Sequence, residues 1–120
     1  MVDSGANFRK QLNSGLLSLV LLAVLDAEQG DLYGYEILRR LQLPDESGSL
    51  FQDGSIYPVL RRLCAQKMLT SRVVPSYSGP PRRYYRITAE GRATLAAWSK
   101  IWRDTRGFVD ERIAARLPRR

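Results

Sequence analysis

The stretch GSIYPVLRRLCAQKML, Gly54 to Leu69, has the spacing of a short amphipathic helix. Ile56, Val59, Leu60, Leu63, Cys64 and Lys67 mark one face, while Tyr57, Pro58, Arg61, Arg62 and Ala65 fall mostly on the other. Asp53 or Ser55 is placed to cap it. With Ser55 as the cap, Pro58 lies in the first turn, where its missing N–H costs nothing. Cys64 reads as a small core residue. Taken alone, the segment fits a core helix with a solvated face as well as a helix presented to a polyanion.

Charge separates the two readings. Between Gly54 and Ala89 lie Arg61, Arg62, Lys67, Arg72, Arg82, Arg83 and Arg86, with no Asp or Glu among them. The remainder carries 12 basic and 12 acidic residues, so the whole net charge of +7 sits in about a third of the 120-residue chain. A field that concentrated favours a polyanionic partner over mere solubility.

Downstream the period changes from helix to strand. LTSRVV (69–74) and RRYYRIT (82–88) alternate, with Tyr85 and Ile87 on one side of the second run and Tyr84 and Arg86 on the other. PSYSGPP between them is dense in turn formers, so the pair reads as a β-hairpin with a protruding tip. Thr88 is a good N-cap for a final helix with Glu90 in its first turn, although Gly91 rules out a capping box. Leu95, Trp98, Trp102, Thr105, Val109 and Ile113 form that helix's stripe, Gly107 is expected to bend or break it, and Pro118 to end it.

Upstream, Leu12, Leu16, Leu19, Val20, Ala23 and Val24 recur at helical spacing, and further leucines widen the stripe into that of a buried helix, placed at Leu12–Glu28. Leu32-Tyr33 forms a very short extended piece. A second helix follows at about Gly34–Leu43, with Pro44 as its terminator, and the loop after it is pinned by Leu50 and Phe51.

The order is therefore three helices, two strands and one long helix. The fold class is mainly α with a small β-hairpin (α+β): a winged helix-turn-helix plus a long C-terminal helix. Residues 1–11 are expected to be a flexible N-terminal arm, 12–88 the winged-helix domain, 89–117 the C-terminal helix and 118–120 a tail. In such a layout the third helix enters the DNA major groove and the hairpin tip lies along the backbone. Arg61 and Arg62 are then candidates for guanine edges or phosphates. Ser55 and Tyr57, near the helix N-terminus, suit phosphate oxygens. Arg82 and Arg83, at the base of the tip, are expected on phosphates or in a minor groove.

Other classes fare poorly. There is no histidine, no nucleophile motif and no glycine-rich phosphate loop, which argues against an enzyme. No metal site and no cofactor is expected. The single cysteine, Cys64, makes no internal disulfide and fits a cytoplasmic protein. The ten-residue apolar run Leu16–Leu25 is too short to span a bilayer, so no membrane partner is expected; Arg9 and Lys10 before it raise a signal peptide, but no small-residue cleavage site is clear.

Three blocks also resemble the PadR family of bacterial transcriptional regulators: Tyr33-Gly34-Tyr35-Glu36; Gly54-Ser55-Ile56-Tyr57-Pro58 with Leu60, Arg62 and Leu63; and Arg83-Tyr84-Tyr85 with Thr88 and Gly91. The resemblance covers about Leu12 to Trp102. The family more often has Thr-Leu where this chain has Ser55-Ile56, and the short C-terminal region resembles its smaller branch. The resemblance implies a homodimeric repressor on a roughly palindromic operator in double-stranded DNA. It implies a recognition helix at Gly54–Lys67 and a wing at about Val73–Arg86. Tyr35 and Pro58, within the matching blocks, join the expected DNA-binding residues. It also implies dimerisation through the last helix, with Leu16, Leu95, Trp98, Trp102 and Val109 at the interface. Trp98 or Trp102 is a candidate to stack a small aromatic effector, against a plain role as packing anchors. The competing reading is a winged-helix protein-interaction module whose basic face is incidental; it predicts no binding to random duplex DNA at low salt.

Overall fold

The computed structural model describes residues 4–28, 30–42 and 55–116. The elements run α1 (Ser4–Asp26), β1 (Leu32–Tyr33), α2 (Gly34–Arg40), α3 (Ile56–Ala65), β2 (Leu69–Val74), β3 (Arg82–Ile87) and α4 (Ala89–Arg116). The sheet is antiparallel with order β1-β3-β2, so the Leu32-Tyr33 piece adds a third strand to the hairpin. Its register pairs Leu32 with Tyr85 and Tyr33 with Tyr84, and across the hairpin Ser71 with Tyr85 and Arg72 with Tyr84.

The core follows from the two periodicities. Leu17, Leu21, Leu22 and Leu25 of α1 pack with Ile37 of α2 and with Ile56, Leu60 and Leu63 of α3, all on the helical repeat. Leu69, Tyr85 and Ile87 come from alternate strand positions and close the cluster. Leu16, Leu95 and Trp98 pack against its edge.

Several boundaries differ from expectation. α1 begins at Ser4, so the arm placed at residues 1–11 is helical from Ser4 onward. Apolar periodicity does not mark this part because Gly5 to Leu12 are all exposed. With that extension, Gly5–Asp26 is long and apolar enough to cross a membrane, at mean hydropathy 1.2, although the Leu16–Leu25 run alone is not; its Leu17, Leu21, Leu22 and Leu25 are buried in the core. α2 ends at Arg40 with Leu41 as C-cap. Leu43, Pro44, Leu50, Phe51, Asp53, Gly54 and Pro118, to which the sequence assigns ends, caps or anchors, lie outside the described residues.

α4 runs 28 residues without a break at Gly107, whose Cα has open space around it. It begins as expected, with the Gly91 N–H donating to Thr88 Oγ1 at 2.9 Å. Gly91 has a second function. A Cβ there would fall 2.7 Å from Ile87 Cγ1 and closer still to the Met68 carbonyl oxygen, so only glycine lets α4 approach the end of α3 this closely.

That end is a tight turn. The Met68 N–H donates to the Leu63 carbonyl at 3.0 Å and the Lys67 N–H to the Cys64 carbonyl at 2.9 Å, the paired bonds of a Schellman motif. Lys67 occupies the left-handed position, φ 65°, usually given to glycine. It has therefore left the helix, and its side chain is exposed rather than on the apolar face assigned to it.

Candidate nucleic-acid interface

α3 exposes Tyr57, Pro58, Arg61 and Arg62 opposite its buried Ile56, Leu60 and Leu63. Ser55 flanks it, exposed and without a side-chain capping bond to the helix. Pro58 falls in the first turn, as its residue type requires. The Tyr57 ring lies on α2: a Cβ added to buried Gly34 would sit 2.8 Å from both Tyr57 Cε1 and Tyr57 Oη. Glycine at position 34 thus makes room for the first turn of α3.

The two arginines of α3 separate. Arg62 Nη2 donates to Ser18 Oγ on α1 at 2.8 Å, tying the helix down. Arg61 is exposed and makes no hydrogen bond or ion pair with another described residue.

Strand alternation also parts Arg82 from Arg83. Arg83 shares the face of Tyr85 and Ile87, beside α3, and its Nη1 donates to Ser71 Oγ at 3.0 Å. Burial pushes both the Cys64 thiol and the Tyr85 phenol up, and the nearby Arg83 charge opposes this in each case. A half-buried thiol held protonated packs as an apolar group and is a poor nucleophile. Arg82 points the other way, with its guanidinium 4.6 Å from the Tyr33 ring centroid.

On that outer face the rings and guanidiniums form a ladder. Tyr33 sits between Tyr84 at 5.5 Å and Tyr35 at 6.3 Å, Arg72 covers Tyr84 at 5.4 Å and Arg39 covers Tyr35 at 6.0 Å. Tyr35 is itself 58% exposed at the start of α2. Glu36 accepts a hydrogen bond from the Tyr33 N–H at 3.0 Å and fixes this corner. Every residue of the Tyr33-Gly34-Tyr35-Glu36 block therefore has a distinct physical task. At the hairpin tip Tyr77 is fully exposed, a residue that sequence patterning passes over because loop position has no period.

The basic segment is less uniformly basic in space than in sequence. Asp31 sends its carboxylate between Arg72 and Arg86, at 2.7 Å to each. The acid-free stretch is partly neutralised from 41 and 55 residues away, a relation no spacing rule detects.

Among the candidates on α4, Trp98 packs against the core, whereas Trp102 is 36% exposed. Trp102 lines an apolar groove of about 480 Å³ with Leu95 and Ser99 of α4 and Val20, Ala23 and Val24 of α1. Leu16 and Leu95 are half-buried against their own core, and Val109 is 45% exposed. From Ile101 to Arg116 every residue is exposed, including Phe108 and Ile113.

Comparison with known proteins agrees with this architecture. Residues 21–97 match the model of the transcriptional regulator PadR-like family. A crystal structure of a PadR family transcriptional regulator from Eggerthella lenta superposes with a TM-score of 0.77 at 28% identity, covering 92% of this chain and 93% of that one. A PadR-like transcriptional regulator from Bacillus cereus gives a TM-score of 0.68 at 29% identity, covering 86% and 96%. An uncharacterized protein of Lysinibacillus sphaericus is 28% identical over 102 residues, 85% of this chain and 87% of that protein. The family match spans more than half of the chain, over the helices, the hairpin and the start of α4 that carry the exposed arginines. The chain belongs to the PadR-like family of transcriptional regulators, DNA-binding proteins rather than enzymes.

Proposed function

We propose that the protein is a homodimeric repressor that binds a roughly palindromic operator in double-stranded DNA, acts in the cytoplasm without a membrane partner, and is released by a small flat aromatic or hydrophobic ligand. The observation that carries the DNA-reading part is the contrast on α3. Arg61 projects from the exposed face, beside Tyr57 and Pro58, while Arg62 is engaged with Ser18. In this reading α3 enters the major groove and Arg61 contacts a base edge, where a bidentate arginine contact discriminates by about 1–3 kcal/mol. Arg62 holds the reader at its angle. Ser55, Tyr57, Tyr35, Arg82 and Arg83 contribute phosphate contacts, which set register and salt dependence.

Dimerisation through α4 is supported by its length and by what it leaves bare. From Ile101 to its end it exposes Ile101, Phe108, Val109 and Ile113, a stripe that a lone chain has nothing to cover with. The groove beside Trp102 supports the ligand part, with Trp98 a packing anchor.

The test is fluorescence anisotropy on duplexes tiled from the DNA flanking the coding sequence. At fixed salt, Arg61→Ala is expected to erase the preference for the operator over random duplex. An unchanged preference would sink the assignment of Arg61 as reader. Arg83→Ala and Arg82→Ala are expected to weaken all duplexes alike and to lower the salt slope by about 0.9 each. Sedimentation should show a dimer that Val109→Asp dissociates. Tryptophan quenching across a small aromatic library, lost in Trp102→Ala, checks the ligand.

A further inference from the structure

Asp31 lies in the turn between α1 and β1, with its side chain only 8% exposed. Arg72 Nε donates to its Oδ2 at 2.7 Å, and Arg86 Nε donates to its Oδ1 at 2.7 Å. The two arginines reach it from adjacent strands, where Arg72 pairs with Tyr84 and Arg86 with Thr70. Their side chains remain 63% and 62% exposed, and the carboxylate forms part of the wall of an open depression of about 200 Å³. Among the described residues, Asp31 is the acid that reaches any of the seven basic side chains between Gly54 and Ala89. Burial alone would push its carboxyl up; the hydrogen bonds and charges of Arg72 and Arg86 outweigh that and hold it below its ordinary value, so it is ionised at neutral pH.

With both guanidiniums largely exposed, the bridge is expected to add little to stability. Its effect on the field is larger. A guanidinium whose N–H donors point at a protein carboxylate has fewer to offer a phosphate, and the pair's combined charge is halved by one anion.

We propose that Asp31 is a specificity-determining residue acting through Arg72 and Arg86: it occupies their donors as an internal substitute for phosphate. The charge available to DNA is thereby confined to α3 and the outer end of the hairpin. Sequence-independent binding rises with every phosphate contact, so two arginines withheld from phosphate lower the background against which the operator is read. This inference rests on the DNA-binding reading above.

The test measures affinity for a random-sequence duplex of about 30 base pairs from about 50 to 300 mM KCl. Asp31→Asn is expected to steepen the slope of log affinity against log salt by roughly 0.9 for each released arginine, and to tighten binding about tenfold at the lowest salt. The pair Arg72→Gln with Arg86→Gln, in the otherwise native chain, is expected to leave the slope unchanged. The triple variant is expected to return to the native slope. A purely structural Asp31 would instead lower the melting temperature and flatten or preserve the slope in Asp31→Asn, which overturns the inference. A lowered slope in the arginine double variant overturns it as well, and that arm does not depend on how Asp31→Asn folds. If the native protein fails to bind the duplex at low salt, the DNA reading falls and this inference with it. Native binding with an unchanged slope in Asp31→Asn defeats this inference alone.

Discussion

The two ends of α3 are held by different means. At its C-terminal end the contact is backbone to backbone. The Leu63–Met68 turn closes on itself, the Thr88 N–H donates to the Met68 carbonyl at 3.1 Å, and its hydroxyl reaches the Lys67 carbonyl at 2.8 Å. Gly91 then brings the start of α4 against the same Met68 carbonyl. At the N-terminal end Ile56 is buried in the core, and beside it a tyrosine ring is laid on a glycine, Tyr57 on Gly34. One end can move only if two helices move together. At the other, the group that meets the glycine is a side chain that can swing. Both glycines are buried and both admit a neighbour, yet what they admit differs in stiffness, so the same substitution should have unlike effects at the two ends.

Gly91→Ala is expected to have the largest effect. Its methyl meets a carbonyl that cannot step aside, so a loss of about 3 kcal/mol in urea unfolding is anticipated. A loss below about 1 kcal/mol would mean the joint is as soft as the other end. Thr88→Ala removes the N-cap of α4 and the hydroxyl bond to the α3 turn, and should cost about 1 kcal/mol by the same measurement. Gly34→Ala sharpens the comparison from the other side. The clash is with the far end of a ring, and a gain in helix propensity offsets part of it, so unfolding should shift by less than about 1 kcal/mol. Duplex binding should nonetheless fall about fivefold, because the displaced Tyr57 would lose its proposed phosphate hydrogen bond, worth about 1 kcal/mol. Equal losses in stability for Gly34→Ala and Gly91→Ala would erase the distinction. Lys67→Gly is the smallest: relief of the left-handed strain, less the entropy of glycine, should stabilise by about 0.5 kcal/mol in thermal melts.

A mechanical consequence follows for the proposed repressor. The rigid end of α3 is joined to α4, the helix whose groove contains Trp102 and whose far turns stand bare. In that proposal a change in α4 tilt would reach α3 through these backbone contacts, while Ser55 and Tyr57 at the N-terminal turn stand exposed toward the proposed phosphates.

Most of the elements were legible in the chain as written. Alternation marked both hairpin strands, the helical repeat marked the buried faces of α1 and α3, and Thr88 announced the start of α4. These signals are local, since each depends on neighbours within a turn or a strand. The start of α1 escaped because residues 5–12 bury nothing in one chain and so have no apolar period to display. The candidate site was legible as a composition, seven basic residues without an acid, but not as an arrangement. Arg62 finds Ser18 across 44 positions, and Arg72 and Arg86 find Asp31 across 41 and 55. Arg82 and Arg83 adjoin in sequence yet occupy opposite faces of β3.

Residue order therefore carries the helices, the strands, the location of the charge and the family motifs, because propensity and periodicity act over a few residues. Packing assigns each arginine its partner and leaves Arg61 unengaged among the described residues. Hydrogen bonds and charges act through space, and the distances that govern them exist only once the core has closed.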